Sequence, residues 1–208
     1  MAKEPINISD VIARRKRQGT AAVTDDRVYF RIPNAREVLM EALVDELGER
    51  AQWLPEYEEV ADWLSDNHGK GLLCLGNCGR GKTVITQHRL PRIIHRYYGL
   101  VLNCYTARAL NDYDVDERGK TILQFKSICR NKLVCIDDVG TEPEARIFGE
   151  SHLFFSELVD EAERKQKLLI CSTNLGRQQL LENYDARTVD RLTALTRRVK
   201  FSGDSLRK

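Results

Sequence analysis

The chain has 208 residues with 33 Lys/Arg against 31 Asp/Glu, a net charge of +2 that excludes a uniformly cationic surface and a length that suits one α/β domain with an appendage. No apolar run approaches the ~18 residues of a membrane-spanning helix, and the chain does not open with a signal peptide, so we expect a cytoplasmic protein without a membrane partner. The six cysteines and four histidines lack the spacing of a zinc site, and we expect the thiols to be reduced.

Residues 1–26 are expected to form a flexible basic arm. They carry the cluster Arg14-Arg15-Lys16-Arg17 and a segment, residues 19–26, without helical or strand periodicity. A second basic stretch, residues 187–208, holds seven Lys/Arg against two Asp. Contact with nucleic acid phosphates is one interpretation of both stretches, and a solvated face or a protein contact is the other.

Residues 27–208 are predicted to form one α/β domain that begins with two lead-in helices between residues 34 and 69. Asn34 and Glu37 stand at capping-box spacing before the first helix, and the second begins near Pro55 and stops at Gly69. After residue 71 strands and helices alternate, which predicts a five-stranded, mostly parallel sheet flanked by helices on both faces. The strands are predicted at residues 72–75, 100–105, 133–136, 168–172 and 199–201.

The motif G-x-x-x-x-G-K-T, a P-loop, follows the first of these strands and precedes a predicted helix. Its glycines allow backbone N–H groups to converge on phosphate oxygens at a helix N-terminus. Lys82 would supply a positive charge to the β- and γ-phosphates, and the Thr83 hydroxyl would ligate Mg²⁺. A chance glycine-rich turn is the alternative, and the flanking strand and helix disfavour it. The predicted nucleotide-binding residues are Gly76, Asn77, Cys78, Gly79, Arg80, Gly81, Lys82, Thr83 and Val84.

Two further strands lead to polar side chains at the edge where open α/β sheets bind ligands. After the strand at residues 133–136 come Asp137, expected to hold Mg²⁺, and Asp138, expected to polarise the attacking water as general base. A turn or helix-capping pair of aspartates is the alternative. After the strand at residues 168–172 comes Asn174, whose amide would bond the attacking water or the γ-phosphate, or would instead cap the next turn.

Three arginines near the end of the sequence are candidates for phosphoryl-transfer chemistry. Arg187 and Arg191 fall one turn apart on a helix predicted over residues 186–195, so they share a face. Arg207 follows the last strand. A guanidinium that meets the developing charge, from the same subunit or a neighbouring one, accelerates phosphoryl transfer. A surface salt bridge is the alternative role for each arginine.

Five motifs, taken in their order along the chain, resemble those of the DnaC/IstB type of AAA+ ATPases, which are helicase loaders and transposition helpers. They are GNCGRGKT, CIDDVGTE, STNL, Y-x-x-R-x-x-x-R-L and GDSLR. The resemblance runs from about residue 71 to residue 208. It implies a AAA+ P-loop fold without a C-terminal lid domain, and ATP and Mg²⁺ as ligands. It also implies Asn174 as sensor I, Arg191 as an arginine finger that reaches a neighbour's nucleotide, Arg187 as its supporting interface arginine and Arg207 as sensor II.

The function that this resemblance implies is that of a Mg²⁺-dependent ATPase in DNA replication, a helicase-loader-like switch that assembles on a partner protein and DNA. The partner would be a replicative helicase, or a transposase if the chain is a transposition helper. An ATP-dependent homo-oligomer and weak DNA binding are expected with it. A P-loop small-molecule kinase and a non-catalytic nucleotide-binding scaffold are the alternatives. Asp138 stands where many AAA+ proteins have Glu, and Leu206 where an aromatic residue is usual.

Overall fold

The computed structural model of the protein describes residues 22–24, 27–115, 121–147 and 150–206. The basic cluster at residues 14–17 and the candidate Arg207 therefore lie outside the described residues. Among the helices of the described residues, none has the length and apolar character needed to cross a membrane.

Strands and helices alternate through most of the described residues. The strands are β1 (Ala22–Thr24), β2 (Arg27–Tyr29), β3 (Gly71–Gly76), β4 (Asn103–Thr106), β5 (Tyr113–Val115), β6 (Thr121–Leu123), β7 (Leu133–Asp137), β8 (Ala145–Ile147), β9 (Glu150–His152), β10 (Leu168–Thr173) and β11 (Thr196–Phe201). The α-helices are α1 (Ala35–Leu47), α2 (Pro55–Ser65), α3 (Leu90–Tyr98), α4 (Gln124–Ile128), α5 (Phe154–Arg164), α6 (Arg177–Asn183) and α7 (Ala186–Leu195). Short 3₁₀ helices lie at Gly48–Arg50 and Ala107–Asn111, and Val84–Arg89 is π-helical.

Five of the strands form a parallel sheet in the order β11-β3-β10-β7-β4. The strand before the P-loop, β3, therefore lies inside the sheet, between β11 and β10. The near-continuous apolar runs of β3, β7 and β10 are typical of parallel strands that are buried on both faces. The predicted five-stranded sheet is confirmed, although β4 begins at Asn103 rather than at residue 100 and β11 begins at Thr196 rather than at residue 199.

Helices cover both faces of this sheet because alternate residues of each strand point to opposite sides. Leu72 and Cys74 of β3 belong to the apolar core on one side, together with residues of α1, α2 and α3. Leu73 belongs to the core on the other side, together with residues of α5, α6 and α7. The predicted helices on both faces are confirmed. Because β3, β7 and β10 are parallel, the loop after β3 and the carboxyl ends of β7 and β10 meet at the same edge of the sheet.

The capping box predicted at the start of α1 is wrong. Asn34 has a φ of 53°, in the left-handed region, and its side chain makes no capping hydrogen bond. An N-cap residue needs an extended backbone to direct its side chain at the free N–H groups of the first turn. The spacing of Asn34 and Glu37 therefore does not produce the contact. The second helix, α2, begins at Pro55 as predicted but ends at Ser65, before residue 69.

The helix that follows the P-loop is irregular in front of Pro91. Its first part, Val84–Arg89, is π-helical, and regular α-helix begins at Leu90. Proline has no N–H to donate and its ring crowds the carbonyl one turn earlier, so the hydrogen-bond ladder has to change there. The interruption of the helix before Pro91 thus takes the form of a π-helical turn.

Among the residues that the structure describes, three antiparallel strand pairs lie outside the main sheet: β1 with β2, β5 with β6, and β8 with β9. The sequence patterns did not predict them, because strands of three residues are too short to display an alternation. The first strand pair includes residues 22–24, which lie in a segment expected to lack strand structure. The predicted domain boundary at residue 26 falls between its two strands.

Candidate nucleotide-binding site

A cavity of about 380 Å³ opens at the carboxyl ends of the core strands, beside the P-loop. It is lined by Leu47, Arg50, Tyr57, Cys78, Gly79, Gly81, Lys82, Thr83, Val84, Asp138, Asn174 and Leu206. Residues of the loop thus share one space with a carboxylate that follows β7 and an amide that follows β10. This is the edge of the sheet at which open α/β folds bind their ligands.

The P-loop needs glycine where neighbouring chain comes close. Gly76 has a φ of 126°, and a Cβ added there would lie 2.0 Å from the carbonyl oxygen of Phe201. Gly79 has a φ of 76°, and a Cβ there would lie 2.1 Å from the hydroxyl of Ser205. Both backbone angles lie in the left-handed region that glycine adopts most easily. The loop therefore packs closely against the end of β11 and the residues that follow it.

Lys82 is buried and its side chain folds back across the loop. Its Nζ donates hydrogen bonds to the carbonyl oxygens of Gly76 at 2.8 Å and Asn77 at 2.7 Å, and to Oδ1 of Asn174 at 2.8 Å. An ammonium group has three hydrogens, so these three oxygens use all of them. Burial lowers the pKa of Lys82, and nearby thiols and carboxylates oppose this effect. The lysine and Asn174, which are 92 residues apart, are in direct contact.

Asp137 ends β7 beside the P-loop, and its carboxylate accepts hydrogen bonds from two hydroxyl groups. Oδ2 accepts a hydrogen bond from Thr83 Oγ1 at 3.0 Å, and Oδ1 accepts one from the hydroxyl of Ser172. Hydroxyl and carboxylate oxygens are ligands that Mg²⁺ accepts, usually one or two from the protein beside the phosphates of a nucleotide. The described residues contain no group of three or more His, Cys, Asp or Glu side chains that could hold a metal alone. Thr83 and Asp137 fit a magnesium ion that is bound together with a nucleotide.

Asp138 has a left-handed backbone at the end of β7. Its φ of 55° is uncommon for residues other than glycine, and aspartate and asparagine adopt it more often than most other types. Its N–H donates to Ser172 Oγ at 3.2 Å, and its carbonyl oxygen accepts from the hydroxyl of Thr141 at 2.8 Å. The aspartate lines the cavity. The left-handed backbone of Asp138 is therefore part of the turn that brings its carboxylate to the cavity.

Arg187 and Arg191 lie away from the cavity, where α7 packs against α5. The guanidinium of Arg191 bonds the carboxylate of Asp160, and its Nε lies 2.7 Å from Glu163 Oε2. Arg187 Nη2 lies 3.8 Å from Asp160 Oδ2. The two arginines thus share a helix face, as their spacing predicts. Their partners are about half exposed, and ion pairs of this kind are weak and exchange readily.

The segment after β11 reaches the P-loop just before the end of the described residues. The N–H of Leu206 donates to the carbonyl oxygen of Gly79 at 2.9 Å, and Leu206 itself lines the cavity. Arg207, the next residue, lies outside the described residues. Its expected role as sensor II remains a prediction.

Two side chains at the site, Ser172 and Tyr57, had no role assigned to them from the sequence. Ser172 bonds the carboxylate of Asp137, and it lies two residues before Asn174, so the alternation of a strand already placed both on the same side. Tyr57 reaches the loop from α2, where a Cβ on Gly81 would lie 2.6 Å from its hydroxyl oxygen. Burial raises the pKa of Tyr57 to about 12. Tyr57 belongs to the buried apolar face of α2, and the spacing of that face in the sequence does not indicate which element Tyr57 meets.

The sequence matches no protein-family model and no curated protein. Solved structures are nevertheless similar. The DnaC helicase loader aligns with a TM-score of 0.50 at 17% identity, over 83% of this chain and 93% of that one. A putative primosome component from Streptococcus pyogenes serotype M3 aligns with a TM-score of 0.52 at 15% identity, over 84% of both chains. AMPPCP-bound DnaA from Aquifex aeolicus aligns with a TM-score of 0.51 at 21% identity, over 71% of this chain and 46% of that one.

The parallel sheet, its strand order and the similar structures show that the chain has the α/β fold of AAA+ P-loop proteins. More narrowly, the chain has the fold of the DnaC-type helicase loaders, which confirms the AAA+ P-loop fold that the motif resemblance implied; the absence of a lid domain stays a prediction. At identities of 15–21% this likeness describes the fold alone.

Proposed function

We propose that this protein binds and hydrolyses ATP with Mg²⁺ and acts in DNA replication, as a helicase-loader-like switch that assembles on a partner protein and DNA. The proposal is carried by one observation: Lys82, Asp138 and Asn174 line a single cavity beside the hydrogen bond between Thr83 and Asp137. These are the residue types that transfer of a phosphoryl group to water requires. The AAA+ fold shared with the DnaC helicase loader and with DnaA supports the replication context.

In the proposed site, Lys82 exchanges its present acceptors for phosphate oxygens. Its three acceptors are neutral carbonyl and amide oxygens, and a charged phosphate oxygen makes a stronger hydrogen bond with an ammonium group. The exchange would release the amide of Asn174, which could then bond the γ-phosphate or the attacking water. The hydrogen bonds of Asn174, which follows β10, would therefore differ between the states with and without the γ-phosphate.

Asp138 would orient the attacking water and accept its proton, because it is the carboxylate that lines the cavity. Asp137 would have the other role. Its two oxygens are held by Thr83 and Ser172, and Thr83 and Asp137 together would hold Mg²⁺, which neutralises phosphate charge when bound. The two adjacent carboxylates are thus assigned different tasks by their surroundings.

Replacement of Lys82 tests the nucleotide site. Lys82→Ala should raise the Kd for ATP about ten- to a hundred-fold, because charged hydrogen bonds of roughly 1.5–3 kcal/mol are lost. Titration of the protein with a fluorescent ATP analogue and Mg²⁺ measures the effect. The matched control is Lys70→Ala, an exposed lysine at the opposite end of β3, which should bind as the wild type does. Equal affinity of the wild type and Lys82→Ala would contradict the proposed site.

Weak, sequence-tolerant DNA binding is expected from the basic stretch at residues 187–208. Arg198 and Lys200 are exposed and two residues apart, so they project from the same side of β11. The logarithm of the DNA association constant should fall linearly with the logarithm of the salt concentration, and the slope should steepen by about 0.9 for each phosphate of duplex DNA that is neutralised. Replacing Arg198 and Lys200 by Ala should lower both affinity and slope, whereas replacing the exposed Arg92 and Arg96 of α3 should not. An affinity that does not change with salt would assign these charges to a protein partner.

A further inference from the structure

We propose that Arg80 is a positioning residue for nucleotide binding: through a buried ion pair with Glu56 it fastens the P-loop between α2 and the segment after β11, and so sets the affinity for ATP. The inference rests on the proposed function, because it concerns the same cavity. It adds Glu56, which lies in none of the motifs, and it gives Arg80, predicted above as a nucleotide-binding residue of the P-loop, an indirect role in binding.

The ion pair between Arg80 and Glu56 is buried and close. Nε and Nη2 of Arg80 both donate to Glu56 Oε1, at 3.0 Å and 2.7 Å. The two residues are 9% and 4% exposed. Glu56 stands in the first turn of α2, behind Pro55, where the helix dipole also favours a negative charge. Removal of either partner would leave the other charge buried and without compensation.

The side chain of Arg80 does not line the nucleotide cavity. Gly79 and Gly81 line the cavity, whereas Arg80 between them does not. Its guanidinium is occupied by Glu56 and by the carbonyl oxygen of Asp204, which lies 3.3 Å from Nη1. Arg80 therefore acts on a bound phosphate through the backbone of the loop and not through its own charge.

The segment after β11 is held on the loop by the same group of contacts. Besides the bond from Arg80 to Asp204, Asn77 Nδ2 donates to the carbonyl oxygen of Gly203 at 3.0 Å. Gly203 has a φ of 106°, and a Cβ added there would lie 3.4 Å from Arg80 Cζ. Arg80 thus contacts α2 on one side and this segment on the other. If it is released, both supports of the loop change together.

A double-mutant cycle of Glu56→Gln, Arg80→Met and the two combined separates positioning from simple stabilisation. Each single variant should raise the Kd for a fluorescent ATP analogue about ten-fold or more, whereas the double variant should be no weaker than the singles, because both act on one contact. In Glu56→Gln, which changes no residue of the P-loop, turnover at saturating ATP should keep its wild-type value, since only binding is affected. The matched control is Glu59→Gln, the same change at an exposed position of α2.

Thermal unfolding of the same variants shows whether the pair only stabilises the fold. Glu56→Gln is the variant expected to fold, because it keeps a hydrogen-bond acceptor and a side chain of the same shape. If the melting temperature falls while the ATP Kd of the folded protein stays at the wild-type value, the pair only stabilises the fold and the proposal is overturned. Additive effects of the two changes would also overturn it. A wild-type protein that does not bind ATP would instead refute the proposed function, so the two failures are distinguishable.

Discussion

Asp138→Asn should bind ATP with wild-type affinity and hydrolyse it about 10²–10⁴-fold more slowly, because a neutral amide cannot accept the proton of the attacking water. The substitution should not disturb the backbone at this position. Asp138 has a φ of 55°, and asparagine is one of the few residue types that adopt this conformation readily. The turn and the hydrogen bond from the Asp138 N–H to Ser172 should therefore survive. Phosphate release at saturating ATP, together with ATP-analogue titration, measures the two effects.

The control for this variant is Asp45→Asn, which makes the same chemical change at an exposed position of α1 and should leave turnover unchanged. Hydrolysis at the wild-type rate by Asp138→Asn would show that Asp138 is not the base. A parallel loss of ATP binding would show that Asp138 rather than Asp137 holds the metal ion. Transfer of phosphate to an acceptor other than water would favour the kinase alternative.

The parts of the fold and site that the sequence predicted are those encoded by contiguous residues. A long apolar strand followed by glycines, or by two carboxylates, identifies β3 with its loop and β7 with Asp137 and Asp138, and the sheet then brings these ends together. The meeting of Lys82 with Asn174 follows from the same rule, since both stand at the carboxyl ends of neighbouring strands.

Contacts that depend on how separate elements pack were not predictable in this way. Glu56 is a charged residue beside an apolar stripe, and nothing in its own surroundings in the sequence indicates that its partner is Arg80, 24 residues later. The capping box at Asn34 failed for a related reason, because spacing alone does not set the backbone angle on which the contact depends. The three strand pairs were missed since their strands are too short to show a period.

Arg191→Ala should retain ATP binding and lose hydrolysis by a factor of about 10³ or more, if its guanidinium completes the site of a neighbouring subunit. Binding should persist because Arg191 is not among the described residues that line the cavity. The fold should persist as well, because the carboxylates of Asp160 and Glu163 that lose their partner are exposed enough to be solvated. The matched control is Arg164→Ala, an exposed arginine of α5, which should keep wild-type turnover.

Mixing Arg191→Ala with Lys82→Ala tests whether the arginine acts between subunits. At ATP concentrations that leave Lys82→Ala largely empty, each variant alone should be inactive. In a mixture, an Arg191→Ala subunit supplies an intact P-loop and a Lys82→Ala neighbour supplies the arginine, so activity should return at those interfaces and rise with protein concentration. Assembly should correspondingly require ATP, because the nucleotide joins the two subunits. In the free subunit the guanidinium is paired with Asp160 and Glu163, and these weak exposed contacts have to be exchanged for the neighbour's phosphate. Full activity of a dilute monomer, or mixtures that never recover activity, would contradict a role for Arg191 in a neighbouring site.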